Sequence, residues 1–355
     1  MNKPIKDISR KIIVEDDINR LFDDFSQQHI MVIGDVMIDS YVFGTVDRIS
    51  PEAPVPVVAV KQRINRLGGA ANVALNIHAL EAHPVLVSVI GADQRGNDLM
   101  ELLKNEHLIS EGIIISAQRP TTTKFRIIGN KVQMLRVDEE TTEDISTDEE
   151  TLLVHKVEHL LQKFPIKVMI LQDYNKGVLT ENLILQLVAL SKKYHVKVAV
   201  DPKKKHFLAY KGVNLFKPNL KELKEGLDLS FQTETLTEIK AAVYQLQQML
   251  KADMVMATLS EKGVLISEEK TDGSTAFHHL EAHLRSITDV SGAGDTVISV
   301  AALCLALGVD TVWLAEMANL AGGLVCEEVG VVPVNKNKLL AEVFRIWNRN
   351  QPVAE

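Results

Sequence analysis

The octet Asp289-Val290-Ser291-Gly292-Ala293-Gly294-Asp295-Thr296, with the apolar run Val297–Leu307 behind it, decides how the rest of the chain is read. Two glycines flank one small residue just where the apolar run predicts that a helix begins. Unpaired backbone N–H groups at a helix N-terminus carry the positive end of its dipole and favour an anion. Glycine lets a phosphate approach that backbone closely. Asp295 then falls in the first helical turn, where a carboxylate repels a bound anion unless it has work to do, such as taking a proton from an attacking hydroxyl. The octet points to phosphoryl transfer. The competing reading is a plain loop, with an acidic residue that suits an early helical position.

Working outward, Ile30–Gly34, Val85–Ile90, Val168–Leu171, Val196–Val200 and Met254–Leu259 are short apolar runs of the kind that form buried parallel strands. Helical patterns alternate with them at Ala70–Leu80, Leu152–Phe164, Leu183–Tyr194 and Thr237–Leu250. That alternation predicts an α/β fold of three layers, α/β/α, around a mostly parallel sheet. Two regions break the rhythm. Val55–Val60 follows the proline-punctuated Pro51-Glu52-Ala53-Pro54, and Thr123–Ile128 and Val132–Val137 flank Gly129-Asn130, a hairpin signal. Segments 40–60 and 121–138 are expected to form a small β lid over the strand ends; ordinary surface hairpins fit the pattern equally well. The expected organisation is a helical extension over 1–29, with an amphipathic helix near Ile18–Phe25, one domain over 30–340 and a tail over 341–355.

Composition narrows the class. The chain has 355 residues, 46% hydrophobic and 24% charged, which suits one large domain with an ample core. A net charge of −8 argues against nucleic acid as partner, and Lys203-Lys204-Lys205 is expected to be a solvated turn. Cys304 and Cys326 lie in apolar segments and read as small buried hydrophobes. His278, His279 and His283 lack the partners of a metal site. No signal peptide opens the chain, and its longest apolar runs are broken by Asp310 and Glu316, too early for a membrane span. A cytoplasmic protein without membrane contact is expected. Gly34-Asp35-Val36-Met37-Ile38-Asp39 has one glycine where a dinucleotide-binding loop needs three, and the Gly-Lys-Ser/Thr ending of a P-loop is absent.

Several polar constellations follow predicted strands. Asp35 and Asp39 come after the first, where carboxylates can accept from sugar hydroxyls; solvent exposure or turn capping would equally account for either one. Gly68-Gly69-Ala70-Ala71-Asn72 opens a helix, so that Gly68 and Gly69 permit close ligand approach or tight helix packing, and Asn72 can present its amide. Lys124, Arg126 and Arg136 gather cations on the lid, either for an anionic substrate or as charges guarding a sheet edge. Asp173 and Lys176 follow the strand at Val168–Leu171. Asn219 and Glu222 are spaced as a capping box, yet could hold waters around Mg²⁺. Thr258, Ser260 and Gly263 form a polar turn that could line a nucleotide pocket.

Taken together, Gly-Gly-Ala-Ala-Asn near 70, Asn-x-x-Glu at 219–222 and Asp-Val-Ser-Gly-Ala-Gly-Asp at 289–295 resemble the ribokinase-like PfkB family of sugar kinases, in the right order from about Ile30 to about Val334. Within that family, Gly34–Asp39, Arg48–Val57, Thr121–Lys124, Leu135–Asp138, Asp173–Thr180 and Ala318–Gly323 are similar to D-glycero-D-manno-heptose-7-phosphate kinases, which phosphorylate C1. The resemblance implies a ribokinase-like fold and an ATP-dependent kinase on the way to ADP-heptose and lipopolysaccharide. Asp295 would be the base, and the amides of Gly292, Ala293 and Gly294 the anion hole. Asp39, Gly68, Gly69 and Asn72 would hold the sugar, with Asp35, Asp173, Lys124, Arg126, Arg136 and Lys176 as further substrate contacts. Asn219 and Glu222 would serve the phosphates and Mg²⁺, the latter through water. Thr258, Ser260, Gly263 and Asn319 would face the nucleotide, and Asp289 would bind a monovalent cation such as K⁺. A sugar phosphate is the implied substrate, and a homodimer through the lid the implied assembly.

Two departures stand out. Ribokinase carries a lysine where this chain has Ala70, which counts against ribose. Many heptose kinases continue into an adenylyltransferase domain, whereas this chain ends at Glu355 without a His-x-Gly-His motif, so that activity is expected on another polypeptide. Kinases of fructose or tagatose phosphates, and a catalytically silent binding regulator, are the alternative readings.

Overall fold

A computed structural model describes residues 15–229, 235–283 and 285–349. The first part of the chain runs α1 (Glu15–Phe25), β1 (His29–Gly34), β2 (Val36–Ile49), β3 (Pro56–Gly69), α2 (Ala70–Ala79), β4 (His83–Gly91), α3 (Gln94–Asn105) and β5 (Ile109–Ser116). Then follow β6 (Thr123–Gly129), β7 (Val132–Glu139), α4 (Thr147–Lys163), β8 (Ile166–Gln172), α5 (Glu181–Tyr194), β9 (Lys197–Asp201), β10 (Leu215–Phe216) and α6 (Leu220–Gly226). The remainder is α7 (Leu236–Leu250), β11 (Met254–Thr258), β12 (Val264–Glu269), β13 (Thr275–Leu280), α8 (Ala293–Leu307), α9 (Thr311–Val325) and α10 (Lys336–Arg349).

Nine strands form the main sheet in the order β13-β12-β11-β10-β9-β8-β1-β4-β5. Pairing is parallel from β11 to β5, and antiparallel only for β12 and β13. Alternate residues of one strand face opposite sides of a sheet, and here both sides are apolar. Ile30 and Val32 of β1 join a core formed with α1, α2, α3, α8, α9 and α10, while Met31 and Ile33 join a second core with α4, α5, α6 and α7. The expected three-layer α/β/α architecture is what forms. α8 is apolar nearly all round and is buried from Asp295 to Leu305, as the central helix of its layer must be.

β2, β3, β6 and β7 make a separate four-stranded sheet, ordered β3-β2-β6-β7, and this is the lid. Its strands are longer than the sequence pattern suggests. β2 begins directly after Asp35, so Asp39 lies on a lid strand rather than in a loop beyond β1. β3 continues to Gly69 and delivers the chain into α2. The β6–β7 turn is centred on Asn130 and Lys131, both with positive φ, one residue beyond the expected Gly129-Asn130. Capping explains the early start of α4: Ser146 and Glu149 form a capping box ahead of the apolar stripe. α3 escapes the periodicity because its buried positions are sparse, although Asp93 caps it by accepting from the Gly96 N–H.

Neither flanking segment stands apart. Ile18, Phe22 and Phe25 of α1 are buried in the same core as Leu339, Val343 and Ile346 of α10, so the expected limit at 340 falls inside a packed helix. Residues 1–14 of the expected extension and 350–355 of the tail lie outside the described residues. Both cysteines are buried and free, as expected. Among the described residues no helix is long and apolar enough to cross a membrane. Phe22→Ala should lower the unfolding free energy by about 3–4 kcal/mol in urea titrations; a loss below about 1 kcal/mol would show that α1 is not part of the core.

Candidate active site

The site lies at the carboxyl ends of the central strands. Chain direction in the sheet diverges between β1 and β8, whose last residues Gly34 and Gln172 pair in register; such a divergence opens a crevice where α/β sheets bind ligands. Against that crevice stands the N-terminus of α8. Gly292 caps it with φ +83°, a left-handed conformation open to glycine at little cost, and a Cβ there would press to 3.1 Å from Asn72 Nδ2. Asp295 sits in the first turn with 3% of its surface exposed.

Three elements converge on its carboxylate. Asn72 Nδ2, from α2, donates to Oδ2 at 2.7 Å. Tyr174 Oη, from the loop after β8, donates to Oδ1 at 2.7 Å, and Gln172 Nε2 donates to the same oxygen at 3.1 Å. Burial pushes the Asp295 carboxyl up to about 6, against the hydrogen bonds from Asn72 and Tyr174, which hold it down. A carboxylate poised there can accept a proton from a hydroxyl near neutral pH. Gln172 Nε2 also reaches Asp201 Oδ2 at 3.1 Å, and Asp201 Oδ1 pairs with Lys217 Nζ at 3.0 Å in a nearly dry environment. A Cβ on Gly294 would stand 3.6 Å from that ammonium, so the lysine lies beside the Gly292–Gly294 loop.

The remaining expected residues divide by what already holds them. Asp35 accepts from the backbone N–H groups of Tyr174, Lys176 and Val178 and is 1% exposed, so both its oxygens shape the 173–178 loop. Asp173 accepts from Tyr210 Oη at 2.9 Å and from the Asn175 N–H, and burial raises its carboxyl to about 6. Asp39 is buried on β2, paired with Arg126, and a Cβ on Gly68 would collide with its carboxylate. Gly69, with φ +59°, turns β3 into α2 beneath the Asp35 carbonyl. Lys124 and Lys176 meet on one side chain, Glu140, at 2.8 and 2.7 Å. Arg136 is more than half exposed and pairs with Asp138 at 3.0 Å.

On the far side of the crevice, Asn219 and Glu222 form the capping box of α6, with Glu222 N donating to Asn219 Oδ1 at 2.8 Å. The second oxygen of Glu222 pairs with Lys203. Lys203 is therefore turned inward, with its ammonium 5.5 Å above the Tyr174 ring, and only Lys204 and Lys205 form the expected solvated turn. Asn219 bridges to Thr258 at the end of β11. Ser260 and Gly263 bound the short turn between β11 and β12, and Asn319 Nδ2 donates to the Glu281 carbonyl nearby in sequence to β13. Asp289 accepts from the Ser291 and Gly330 N–H groups. Burial works against its ionised form, but these amides hold its carboxyl below the usual range.

Oxygen donors dominate this wall, and among the described residues no three His, Cys, Asp or Glu side chains cluster to grip a metal directly. Tyr174, Gln172, Asp201, Lys203 and Lys217 escaped the motif reading. The position of Asp201 and Lys217 at strand ends was the one available signal.

Comparison with known proteins places the fold in a family. The model of the pfkB family of carbohydrate kinases matches residues 27–338. The bifunctional protein HldE of Methylobacillus flagellatus is 40% identical over 314 residues, 88% of this chain and 63% of that protein. The HldE of Pseudomonas aeruginosa is 40% identical over 90% of this chain and 65% of its own length. The chain thus spans less than two thirds of these relatives. Phosphofructokinase-2 of Escherichia coli, solved with potassium, shares the fold at TM-score 0.73 and 17% identity, covering 91% of this chain and 99% of that one. An Arabidopsis thaliana ribokinase complexed with ribose and ATP does so at TM-score 0.67 and 19% identity, over 88% and 98%. A family match spanning the whole sheet, its lid and the Gly292–Asp295 helix start places the chain in the pfkB family of carbohydrate kinases.

Proposed function

We propose that the protein transfers the γ-phosphoryl group of ATP to the C1 hydroxyl of D-glycero-D-manno-heptose 7-phosphate, giving the 1,7-bisphosphate, in the cytoplasm where ATP is made. The observation that carries the reaction is Asp295, a buried carboxylate in the first turn of α8 beside the Gly292–Gly294 amides. Similarity to the HldE proteins supports the sugar, as do the stretches shared with heptose-7-phosphate kinases.

In this reading Asp295 takes the proton of the C1 hydroxyl as its oxygen bonds to the γ-phosphorus. The bond from that phosphorus to the bridging oxygen breaks, and ADP leaves with the electron pair. The amides of Gly292, Ala293 and Gly294 meet the charge on the moving group, so catalysis is positioning and electrostatics. Asp39, Gly68, Gly69 and Asn72 line the sugar's place, and Lys124, Lys176, Arg126 and Arg136 supply cations for its phosphate. Asp35 and Asp173 act by shaping the loop that presents Tyr174 and Lys176. Thr258, Ser260, Gly263 and Asn319 border the nucleotide. Glu222, through water and beside Asn219, would hold Mg²⁺, which neutralises phosphate charge when bound. Asp289, held ionised, would take K⁺ next to the anion hole.

The lid also carries the assembly. β7 is an edge strand whose Val132, Leu135 and Val137 are 61%, 57% and 46% exposed, and a second copy would cover both the edge and these side chains.

Coupled ADP-release assays over a panel of sugar phosphates should show turnover of heptose 7-phosphate; turnover of hexose phosphates alone would overturn the sugar. Asp295→Asn should cut kcat by about 10³- to 10⁴-fold, and an unchanged kcat would overturn Asp295 as the base. Because Asp295 must be ionised to accept a proton, kcat/KM should fall as pH drops below about 6. Light scattering at micromolar concentration should give twice the chain mass, and Leu135→Lys half of that; a monomeric wild type would overturn the lid dimer.

A further inference from the structure

Tyr174 is not accounted for by any of the roles above, yet its phenol makes one of the two shortest contacts to the Asp295 carboxylate, 2.7 Å to Oδ1. We propose that Tyr174 is a positioning residue for Asp295, donating a permanent hydrogen bond that aims the carboxylate and keeps it ionised while the acceptor hydroxyl is bound. The inference rests on the kinase reading of Asp295.

Its placement is over-determined. Both oxygens of Asp35 hold the loop that carries it, through the N–H groups of Tyr174 at 2.8 Å, Lys176 at 3.0 Å and Val178 at 3.0 Å. Arg119 donates to the Lys176 carbonyl from the other side. Lys203 covers one face of the ring. A ring so fixed delivers its hydroxyl to one point, which is Oδ1. With Asn72 on Oδ2 and Gln172 sharing Oδ1, rotation of the carboxylate is blocked and one lone pair, on Oδ2, is left for a substrate.

The charges around Asp295 explain why such a donor matters. Asp201 lies behind Gln172 and disfavours a second negative charge. Lys217 offsets it but is committed to Asp201, and Lys203 is committed to Glu222. Asp39 on the lid, paired with Arg126, is a further negative charge acting on the Tyr174 phenol. Against this background the neutral donors Asn72 and Tyr174 keep the base usable. Burial and the adjacent Asp295 also push the Tyr174 phenol well above its ordinary value, so it stays a donor throughout the working range. A hydrogen bond to the ionised form lowers the acid's pKa, and its removal raises it.

The test is the pH profile of Tyr174→Phe beside wild type, with heptose 7-phosphate and ATP. The acid limb of kcat/KM should move up by about one pH unit. Fluorotyrosine at position 174, a stronger donor of nearly the same shape, should move the limb down. Carbon-detected NMR titration of Asp295 in the ligand-free protein, assigned by loss of its signal in Asp295→Asn, should show the same upward shift in Tyr174→Phe and gives the answer without turnover. A uniform loss of activity with an unmoved limb and unmoved titration would overturn the proposal and leave Tyr174 as packing. A wild type inactive on every sugar phosphate would instead overturn the kinase reading, a result that the NMR arm separates from this one.

Discussion

A carboxylate buried at the positive end of a helix is the constraint around which this molecule is built. Asp295 has little water to solvate it, so the protein must supply donors, and they come from two distant parts of the chain: Asn72 from α2, Tyr174 and Gln172 from the end of β8. Those donors in turn need fixed backbones. Asn76, one turn beyond Asn72, accepts from Thr296 Oγ1 and from the Val334 N–H, each at 2.9 Å, which locks α2 to α8 and to the chain before α10. An unpaired buried polar group costs about 1–3 kcal/mol, so these contacts specify how the layers meet as well as how the base is held.

The same logic governs the glycines and the lid. Gly292 and Gly294 bring backbone amides to the crevice without side chains in the way, and Gly68 leaves room for the Asp39 carboxylate. Every cation expected to meet the substrate's phosphate, on the lid or in the loop after β8, is already opposed by a carboxylate: Arg126 by Asp39, Arg136 by Asp138, and Lys124 and Lys176 by Glu140. Half-buried cations without an anion would repel one another and lose hydration. These carboxylates supply the opposing charge that the cations need in the ligand-free protein. Glu140 is the plainest case, with one oxygen on each of two lysines from separate elements.

Much of the fold could be read along the chain because its signals are local. Apolar runs such as Ile30–Gly34 and Val168–Leu171 are uniformly buried when both faces of a strand are covered, and that pattern survives without knowledge of the partners. The lid hairpin was legible for the same reason. What escaped was set by capping or by distant packing: α3 with its sparse apolar face, the early start of α4 at its Ser146–Glu149 box, and the long reach of β2 and β3. The Lys203 cluster read as solvated because no local feature shows that its first lysine turns inward to Glu222.

For the site, the octet 289–296 pointed by itself to phosphoryl transfer, with a plain loop as the competing reading, since two glycines, a helix start and an acid are adjacent in the chain and their geometry follows from backbone conformation. The spacing of Asn219 and Glu222 likewise determined a capping box. Only the tertiary structure decided which side chains surround Asp295. Tyr174 lies 121 positions away in sequence and Asn72 lies 223; the glycine motif marked Asn72 as a site residue, but nothing local marked Asp295 as the partner of either. Strand order brings β8 beside β1 and sets α2 against α8, and a buried charge is tuned by whatever stands within a few ångströms, however far along the chain that group is encoded.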